Sequence, residues 1–446
     1  MKHPHFLAAA ALALLAPAFT ASAQDAAKAP DPVTFGGDFR ARIETFDHVP
    51  GLSSYTSYFR FRTRAFVKAD AGDFTFYARA VNEWRRQVEN HGVNRYPWTD
   101  ELVFDQVYAE FRNILGENLP LRARVGRQEI TDLGSMRVIA DGTPSDGSRT
   151  PSFNAARFTL TPAEKMDIDF IGVYNRWYDE CAIGGLDDHL TPGGNRDLNG
   201  GRADEAGTIL YLTDKSNADL GLEGYYIWKH ETTGIRSRGA ADKGRDTHTL
   251  GGRLLPKFTD TLTGELEAAG QLGRTEDGRD ISAFMLHAGA TQSLDPIKGL
   301  TPYLMGACTL LSGDKDETDS NVTAWNPVWG RQPQYGDLSG LDCGYWYQNL
   351  VYPHVELGFK NAKKNHTALF QTGPMFALCD NGSDDGNYRG WHFLGQYNFP
   401  IIAQPYAENR NFSLSGHIEA GALAPGDYYA DSTTAYFLRF QLMAKF

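Results

Sequence analysis

The sequence is poor in cysteine, in positive charge and in long apolar runs. Its 446 residues include four cysteines and carry a net charge of −12. Beyond the first 23 residues, no stretch reaches the roughly 18 apolar residues that a transmembrane helix needs. The acidic balance argues against attraction to nucleic acid or to an anionic membrane surface. We therefore expect neither a helical membrane protein nor a partner made of nucleic acid.

Motifs for catalysis and for cofactors are missing as well. The sequence contains no G-x-S-x-G, no H-E-x-x-H and no P-loop. Its acidic runs, DKDETDSN from Asp314 and DNGSDDGN from Asp380, lack the ligand spacing of an EF-hand. We therefore expect no enzyme and no cofactor, with Ca²⁺ in an outside loop as the alternative.

The first 23 residues have the pattern of a secretory signal peptide. Lys2 lies in a short charged region, residues 6–19 are almost wholly apolar, and Ala21-Ser22-Ala23 is a small-x-small cleavage site. We expect residues 1–23 to be removed and the mature chain to begin at Gln24. Disulfides are permitted beyond that membrane, and four cysteines allow three full pairings.

What the sequence has in abundance is alternation of apolar and polar residues. In FGGDFRARIET (residues 35–45) and YFRFRTRAFVKA (residues 58–69), large apolar side chains take one parity and charged side chains the other. The same period of two returns in FTFYARAVNEWR, LRARVGRQ, MDIDFIGVYN, ADLGLEGYYIW and DTLTGELEAAGQLG. These segments run about ten residues, which matches the tilted span of a membrane strand. One continuous barrel explains them better than several soluble sandwiches.

The connections between these segments alternate in length. Short links fall at residues 68–74, 113–120, 161–165, 213–218, 256–261, 292–301 and 360–366, with longer segments between them, notably 129–152, 177–205, 230–246 and 312–347. Outer-membrane barrels have short periplasmic turns and long outside loops. We therefore expect an all-β, antiparallel up-and-down transmembrane barrel of about 18 strands, formed as one domain by residues 24–446 in the Gram-negative outer membrane.

The segment YFLRFQLMAKF (residues 436–446) is predicted to be the strand that closes the barrel. Its even positions are large and apolar, so they are expected to face outer-membrane lipid. An aromatic residue at the end of such a strand, here Phe446, resembles the signal that the barrel assembly machinery reads. Lipid and that machinery are the expected partners of this strand.

The polar parity of the strands would line an aqueous channel, and arginine outnumbers lysine there. A guanidinium fork binds carboxylates bidentately, so a ladder of arginines suits an anionic solute. The predicted luminal arginines are Arg40, Arg42, Arg60, Arg62, Arg64, Arg79, Arg122, Arg124 and Arg157. In the alternative, these arginines pair with luminal acids and stiffen the wall. Later strands carry such acids at Asp167, Asp169, Glu223, Glu265 and Glu267.

Several stretches resemble the alginate export family of outer-membrane barrels. They are RARVGRQEITDLGSMRVI from Arg122, SFNAARFTLTP, HTLGGRL and SGDKDETDSNVTAWNPVWGRQPQYGDL (residues 312–338). With their flanking strands they cover essentially the whole mature chain. The resemblance implies a monomeric porin with about 18 strands, whose arginine-rich constriction passes a polyuronate. Arg124, Arg127 and Gln128 match the family's G-R-Q region, and Arg157 matches the arginine of the following strand.

One further expectation and one departure accompany the resemblance, and a third point stands apart from it. The family places a periplasmic turn able to cover the pore at residues 398–411, where the alternative is an ordinary Pro-rich turn. The chain departs from the family after Gln128, because ADGTPSDGSRTPSF replaces an expected Trp and Asn. Independently of the family, Cys343 and Cys379 fall in or beside outside loops, and we expect a disulfide between them.

The sequence thus predicts a passive outer-membrane channel for an anionic polysaccharide, such as an alginate-like polyuronate, or for its oligomers. A general diffusion porin for small anionic solutes is the alternative within the same class. An outer-membrane lipase or protease is the rival from a different class. Conductance without hydrolysis would favour a channel over that rival.

Overall fold

The computed structural model describes residues 32–49, 55–90, 102–135, 137–139, 153–176, 182–183, 203–235, 241–330, 334–338, 348–361, 365–380, 386–402 and 412–446. Within these ranges, no helix is long and apolar enough to cross a membrane. Residues 1–31 lie outside the described part, so the signal peptide and the boundary at Gln24 stay predictions.

Eighteen antiparallel strands follow one another around a closed barrel. They are β1 (Val33–Asp47), β2 (Thr56–Ala71), β3 (Phe74–Asn90), β4 (Leu102–Phe111), β5 (Leu121–Gln128), β6 (Phe153–Ala163), β7 (Met166–Asn175), β9 (Glu205–Asp214), β10 (Leu220–Glu231), β13 (Arg245–Pro256), β14 (Leu262–Thr275), β15 (Asp280–Ser293), β16 (Thr301–Leu311), β18 (Leu350–Asn361), β19 (His366–Phe376), β20 (Tyr388–Ile402), β21 (Ser413–Pro425) and β22 (Ala435–Lys445). Short pieces at the loops are β8 (Ala182–Ile183), β11 (Gly234–Ile235), β12 (Ala241–Asp242) and β17 (Asn321–Val322).

The last strand closes the barrel against the first, as the sequence predicts. β22 pairs with β1 from Asp47 opposite Tyr436 to Asp38 opposite Lys445. Beyond that ladder, Gly37 and Phe446 exchange backbone hydrogen bonds of 2.8 and 3.0 Å. A closed ladder leaves no unpaired sheet edge, which is what a strand structure in lipid requires.

The period of two decides which side chains face lipid. Along β22, Tyr436, Leu438 and Phe440 are exposed on the outside of the barrel, while Phe437 and Arg439 between them are buried inside. The same alternation leaves Phe170 on β7 and Leu250 on β13 exposed. An exposed apolar belt of this kind is the lipid-facing surface of a membrane barrel. The predicted up-and-down barrel is therefore confirmed.

Short connections gather at one end of the barrel. Residues 72–73, 164–165 and 215–219 join consecutive strands there, and longer connections such as 312–349 lie at the other end. By the asymmetry of outer-membrane barrels, we name these the periplasmic end and the outer end. Residues 276–279, between β14 and β15, are a short link at the outer end.

The predicted periplasmic turn at residues 398–411 is partly strand. β20 continues to Ile402, with a bulge between Pro400 and Ile402 in its pairing with β21. The bulge accommodates Pro400, which has no backbone N–H to give to a ladder. The turn therefore begins later than the prediction, and residues 403–411 lie outside the described part, so the gate stays a prediction.

The apolar core lies inside the barrel. It is built by wall residues such as Ile171, Ile209 and Tyr352 together with two loop segments that enter the lumen from the outer end. We call residues 129–139 the first inward segment and residues 312–338 the second inward segment. Ile130, Ile139 and Trp325 of these segments are almost completely buried. The segments therefore narrow the channel and share one core with its wall.

Candidate functional site

The lumen at β1, β2 and β3 is lined by arginine. Across β1 and β2, Arg40 lies opposite Arg62 and Arg42 lies opposite Arg60. Like charges directly opposite each other are destabilising, so such pairs need carboxylates between them. We call Arg40, Arg42, Arg60, Arg62 and Arg64, with Asp38, Glu44 and Glu83, the basic wall. Its five arginines outnumber its three carboxylates.

Three carboxylates hold the basic wall together. Glu44 forms ion pairs with Arg42 at 2.9 Å, with Arg60 at 3.1 Å and with Arg439 of β22 at 2.5 Å. Glu83 contacts Arg60 at 3.2 Å and Arg40 at 3.5 Å. Asp38 contacts Arg64 at 2.7 Å and Arg62 at 3.4 Å. The contacts support the predicted alternative, in which much of the arginine ladder is paired.

The ladder continues onto β3 to β7 as separate ion pairs. Arg79 pairs with Asp105 at 2.7 Å and also with Glu129, and Arg124 pairs with Glu110 at 2.6 Å. Arg157 pairs with Asp169 at 2.8 Å and with Asp132 at 2.7 Å. Arg122 instead donates a hydrogen bond to the Thr159 hydroxyl at 3.4 Å. Asp132 and Glu129 belong to the first inward segment. Two arginines of the wall therefore hold this segment.

Exposure separates arginines that a solute can reach from arginines that build the wall. The side chains of Arg64 and Arg124 are 16% and 25% exposed, whereas those of Arg40 and Arg62 are 0% and 1% exposed. Arg124 also lies over the ring of Tyr108, at 4.6 Å from its centroid. The reachable positive charge is therefore concentrated on the periplasmic half of β2 and β5.

The G-R-Q stretch at the end of β5 has a structural role. Gly126 has φ +125, and a Cβ there would lie 2.3 Å from the carbonyl oxygen of Val107. This backbone breaks the alternation, so that Arg127 and Gln128 are both buried. The Gln128 Nε2 donates to the carbonyl oxygens of Arg124, Gly126 and Ala155 at 3.0 to 3.3 Å. These bonds anchor the strand end, and whether either residue touches a solute stays a prediction.

The opposite charge dominates β10, β13 and β14. We call Glu223, Glu265 and Glu267, with Arg253, the acidic wall. Arg253 contacts Glu223 at 2.6 Å and Glu265 at 3.3 Å. Glu267 is fully buried and accepts a 3.0 Å hydrogen bond from the Tyr225 hydroxyl. Within this set, one arginine meets three carboxylates. The other arginines of these strands, Arg245 and Arg274, lie towards the outer end and pair with Glu231 and Asp280.

The first inward segment supplies the missing positive charge. Arg137 donates to Glu265 at 2.6 Å and to Glu267 at 2.8 Å, and Ser135 Oγ donates to Glu267 at 2.5 Å. Burial alone would lower the pKa of Arg137, but these carboxylates raise the pKa above its ordinary value. At Asp132, partial burial opposes the ion pair with Arg157, and the ion pair prevails and lowers the pKa. The segment is therefore charged at both anchors.

The earlier part of the second inward segment is held through its backbone carbonyl and N–H groups. Gln271 of β14 donates to the carbonyl oxygen of Asn326 at 2.7 Å and accepts from its backbone N–H at 3.0 Å. Lys229 of β10 donates to the carbonyl oxygen of Val328 at 2.9 Å. Trp329 donates its backbone N–H to Val138 at 3.1 Å, which joins the two inward segments. This part of the lumen is filled by protein.

The second inward segment then reaches the opposite side of the barrel. The Tyr335 hydroxyl donates to Thr309 of β16 at 2.7 Å, and burial raises the pKa of Tyr335. The backbone N–H of Asp337 donates to Glu419 of β21 at 2.7 Å, and the Asp337 carboxylate pairs with Arg439. The segment thus spans the lumen from β10 to β22.

Sequence reasoning missed the loop residues that complete the site. Asp132, Arg137 and Asp337 pair with wall residues far away in the chain, and the period of two gives no signal for such contacts. Arg439 was predictable as a luminal residue from the parity of its strand. Its ion pairs with Glu44, Asp337 and Glu419 were not predictable.

Two further expectations concern thiols and metal ions. The Cys379 Sγ lies 3.5 Å from the Asn349 Oδ1. Cys343 lies outside the described residues, so its disulfide with Cys379 stays a prediction. In the described part of the chain, no three His, Cys, Asp or Glu side chains converge to hold a metal ion. Ca²⁺ in an outside loop also stays a prediction.

Solved structures of outer-membrane proteins share this fold. Pseudomonas aeruginosa OccK5 (OpdH) matches with a TM-score of 0.56 and 11% identity over 92% of this chain and 97% of its own. P. aeruginosa OpdK with vanillate matches with a TM-score of 0.55 and 9% identity over 92% of this chain and 98% of its own. Acinetobacter baumannii OccAB4 matches with a TM-score of 0.54 and 11% identity over 94% of this chain and 99% of its own. No family model matches the sequence, and comparison with curated proteins gives no match.

At this level of identity the likeness concerns the fold. It confirms the 18-strand antiparallel barrel of the outer-membrane porin type and the predicted multi-pass localisation. It supports the porin part of the resemblance drawn from the sequence and gives no support for alginate as the solute. The solute must therefore be argued from the lumen itself.

Proposed function

We propose that the chain is a passive outer-membrane channel for small anionic solutes and has no catalytic turnover. The observation that carries the proposal is the excess of arginine on the basic wall, beside Arg124, in a barrel of porin fold. Arg64 and Arg124 remain partly exposed, so each offers a weak site that can bind and release a carboxylate. The OpdK structure with vanillate, a small carboxylate, is consistent with this solute class.

The size of the solute follows from the inward segments. Trp325, Val328 and Tyr335 are buried within the lumen and belong to a segment that reaches from β10 to β22. A narrowed lumen favours small anions over the polyuronate that the sequence led us to expect. Displacement of the second inward segment would be needed before a polymer could pass.

Proteoliposome swelling tests the proposal. We expect vesicles containing the protein to swell in sodium vanillate and in sodium glucuronate, and to swell far more slowly in oligomannuronate. Swelling in none of these solutes would reject the channel. Equal entry of oligomannuronate would reinstate the polysaccharide reading, and hydrolysis of an added ester or peptide that a single Ser substitution abolishes would support the enzyme.

A further inference from the structure

A cavity opens at the periplasmic end of the lumen, away from most of the basic wall. Its volume is about 820 Å³, and its lining comes mainly from β19, β20, β21 and β22. Gln334 and Gly336 of the second inward segment close it on the outer side. The volume lies within the range of about 300–1,000 Å³ that small-molecule sites occupy. We call this cavity the periplasmic vestibule.

The lining of the vestibule is rich in carboxamides. Six of them contribute: Gln334, Asn365, Gln371, Gln396, Asn398 and Gln441. Each carboxamide offers two donors beside an acceptor oxygen, which is the pattern that pairs of neighbouring hydroxyl groups can satisfy. Ser413 and Ser415 add hydroxyls to the same lining. Uncharged hydrogen-bonding groups therefore outnumber the charged groups of this cavity.

Existing contacts hold the amides in place. Gln396 Nε2 donates to Glu419 at 3.0 Å, and Asn398 Nδ2 donates to Thr367 at 3.1 Å. Gln371 Nε2 donates to the Tyr352 hydroxyl at 3.3 Å. Each bond uses one of the two N–H donors of its carboxamide. The second donor can then bind a solute from a side chain whose orientation is already fixed.

The charged groups of the lining are three cations, Arg42, Arg439 and Lys445, and two carboxylates, Glu356 and Glu419. Arg439 pairs with Glu419 at 3.5 Å and with Glu44 at 2.5 Å, and Arg42 pairs with Glu44 at 2.9 Å. Glu356 accepts a 2.6 Å hydrogen bond from Tyr303. Both arginines of the lining are therefore already paired with carboxylates.

We propose that the periplasmic vestibule binds neutral polyhydroxylated solutes of the size of a mono- or disaccharide. The site extends the function of the chain beyond anions, because its recognition groups are mainly carboxamides and hydroxyls, which need no charge on the solute. It stands independently of the anion channel, since binding requires no passage past the inward segments.

Calorimetric titration of the full chain in detergent with maltose tests the site. We expect binding whose dissociation constant is the same at about 0.1 M and about 1 M KCl, because salt screens charges and not neutral hydrogen bonds. The double variant Gln396→Leu with Asn398→Leu should weaken binding by at least about fivefold, since each neutral hydrogen bond contributes a factor of roughly two to twelve. Gln292→Leu, on β15 outside the cavity, should bind like the unaltered protein.

Three results would overturn the vestibule as a site. The first two are the absence of maltose binding to the unaltered protein and unchanged binding by the double variant. If the double variant does not fold, Asn398→Leu alone takes its place and should also weaken binding. Maltose binding with strong salt dependence would also reject the proposal. Vesicle swelling in vanillate tests the anion channel, and maltose titration tests the vestibule. The failure of one proposal can therefore be distinguished from the failure of the other.

Discussion

The basic wall and the acidic wall line the same lumen but reach charge balance by different routes. On the basic wall, Asp38 and Glu44 belong to β1 and Glu83 to β3, so the carboxylates come from barrel strands beside the arginines they hold. On the acidic wall, Arg253 is the arginine of the strands, and Arg137 enters from the first inward segment. The basic wall is therefore part of the barrel, whereas balance on the acidic wall depends on a loop.

This difference assigns different roles to the two walls. Loss of the inward segment would leave the basic wall nearly unchanged and would expose carboxylates on the acidic wall. Under the proposed function, the basic wall gives a permanent preference for anions, and the acidic wall anchors the segment that narrows the lumen. Four predictions break or sharpen this comparison.

The largest effect is expected from Glu44→Ala on the basic wall. Glu44 contacts Arg42, Arg60 and Arg439, and its loss leaves buried guanidinium groups short of negative charge. Breaking a buried ion pair costs about 3–5 kcal/mol, and we expect the free energy of unfolding to fall by that amount. Urea unfolding in lipid vesicles measures it.

Asp260→Ala is the matched control, because Asp260 pairs with Lys257 in an exposed turn. An exposed pair contributes little to stability, so this variant should unfold like the unaltered protein. Equal stability of the two variants would show that the basic wall does not depend on its central carboxylate.

The second prediction concerns Arg137→Ala on the acidic side. This change removes two charge-assisted hydrogen bonds, to Glu265 and Glu267, each worth about 1.5–3 kcal/mol. We expect the first inward segment to loosen and the single-channel conductance to rise. Arg274→Ala, which removes an exposed pair with Asp280 at 3.3 Å, serves as the control. Unchanged conductance in Arg137→Ala would show that these ion pairs do not maintain the constriction of the channel.

The third prediction compares the walls directly through ion selectivity. The double variant Arg64→Ala with Arg124→Ala should lower the anion-to-cation permeability ratio by about twofold to fivefold, since one charge at 4 Å in water contributes ~1 kcal/mol. Glu265→Gln should raise the ratio, because it removes a partly exposed carboxylate. Shifts in the same direction for both variants would contradict the division into two walls.

The smallest effect is expected from acid. The lowered pKa of Asp132 means that its ion pair with Arg157 contributes fully above the ordinary aspartate value and is lost as the pH falls through the lowered value. Conductance should therefore stay constant from about pH 8 to about pH 5, since an ordinary aspartate titrates near 3.9. Asp132→Asn should have the higher conductance at all these pH values. A change near neutral pH that Asp132→Asn abolishes would show that the pKa is not lowered.

The barrel was predictable because its signal is local. Alternation in β1, β2 and β22 placed the lipid face and the lumen correctly, and the short links marked the periplasmic end. The pairing of the arginines was predictable only as an alternative, since it depends on register between strands. Glu44 and Arg439 lie 395 residues apart, and Arg137 and Glu265 lie 128 apart. Contacts of that range follow from closure of the barrel and from inward segments, which no local pattern encodes.

The central claim is that the basic wall sets the selectivity of the channel. The reversal potential of the purified protein in a planar bilayer under a KCl gradient tests this claim most directly. Because arginine is in excess at the positions that a solute can reach, we expect chloride to permeate faster than potassium. The reversal potential should have the sign that this preference produces. A potential of the opposite sign would contradict the account, because the acidic wall would then govern the lumen.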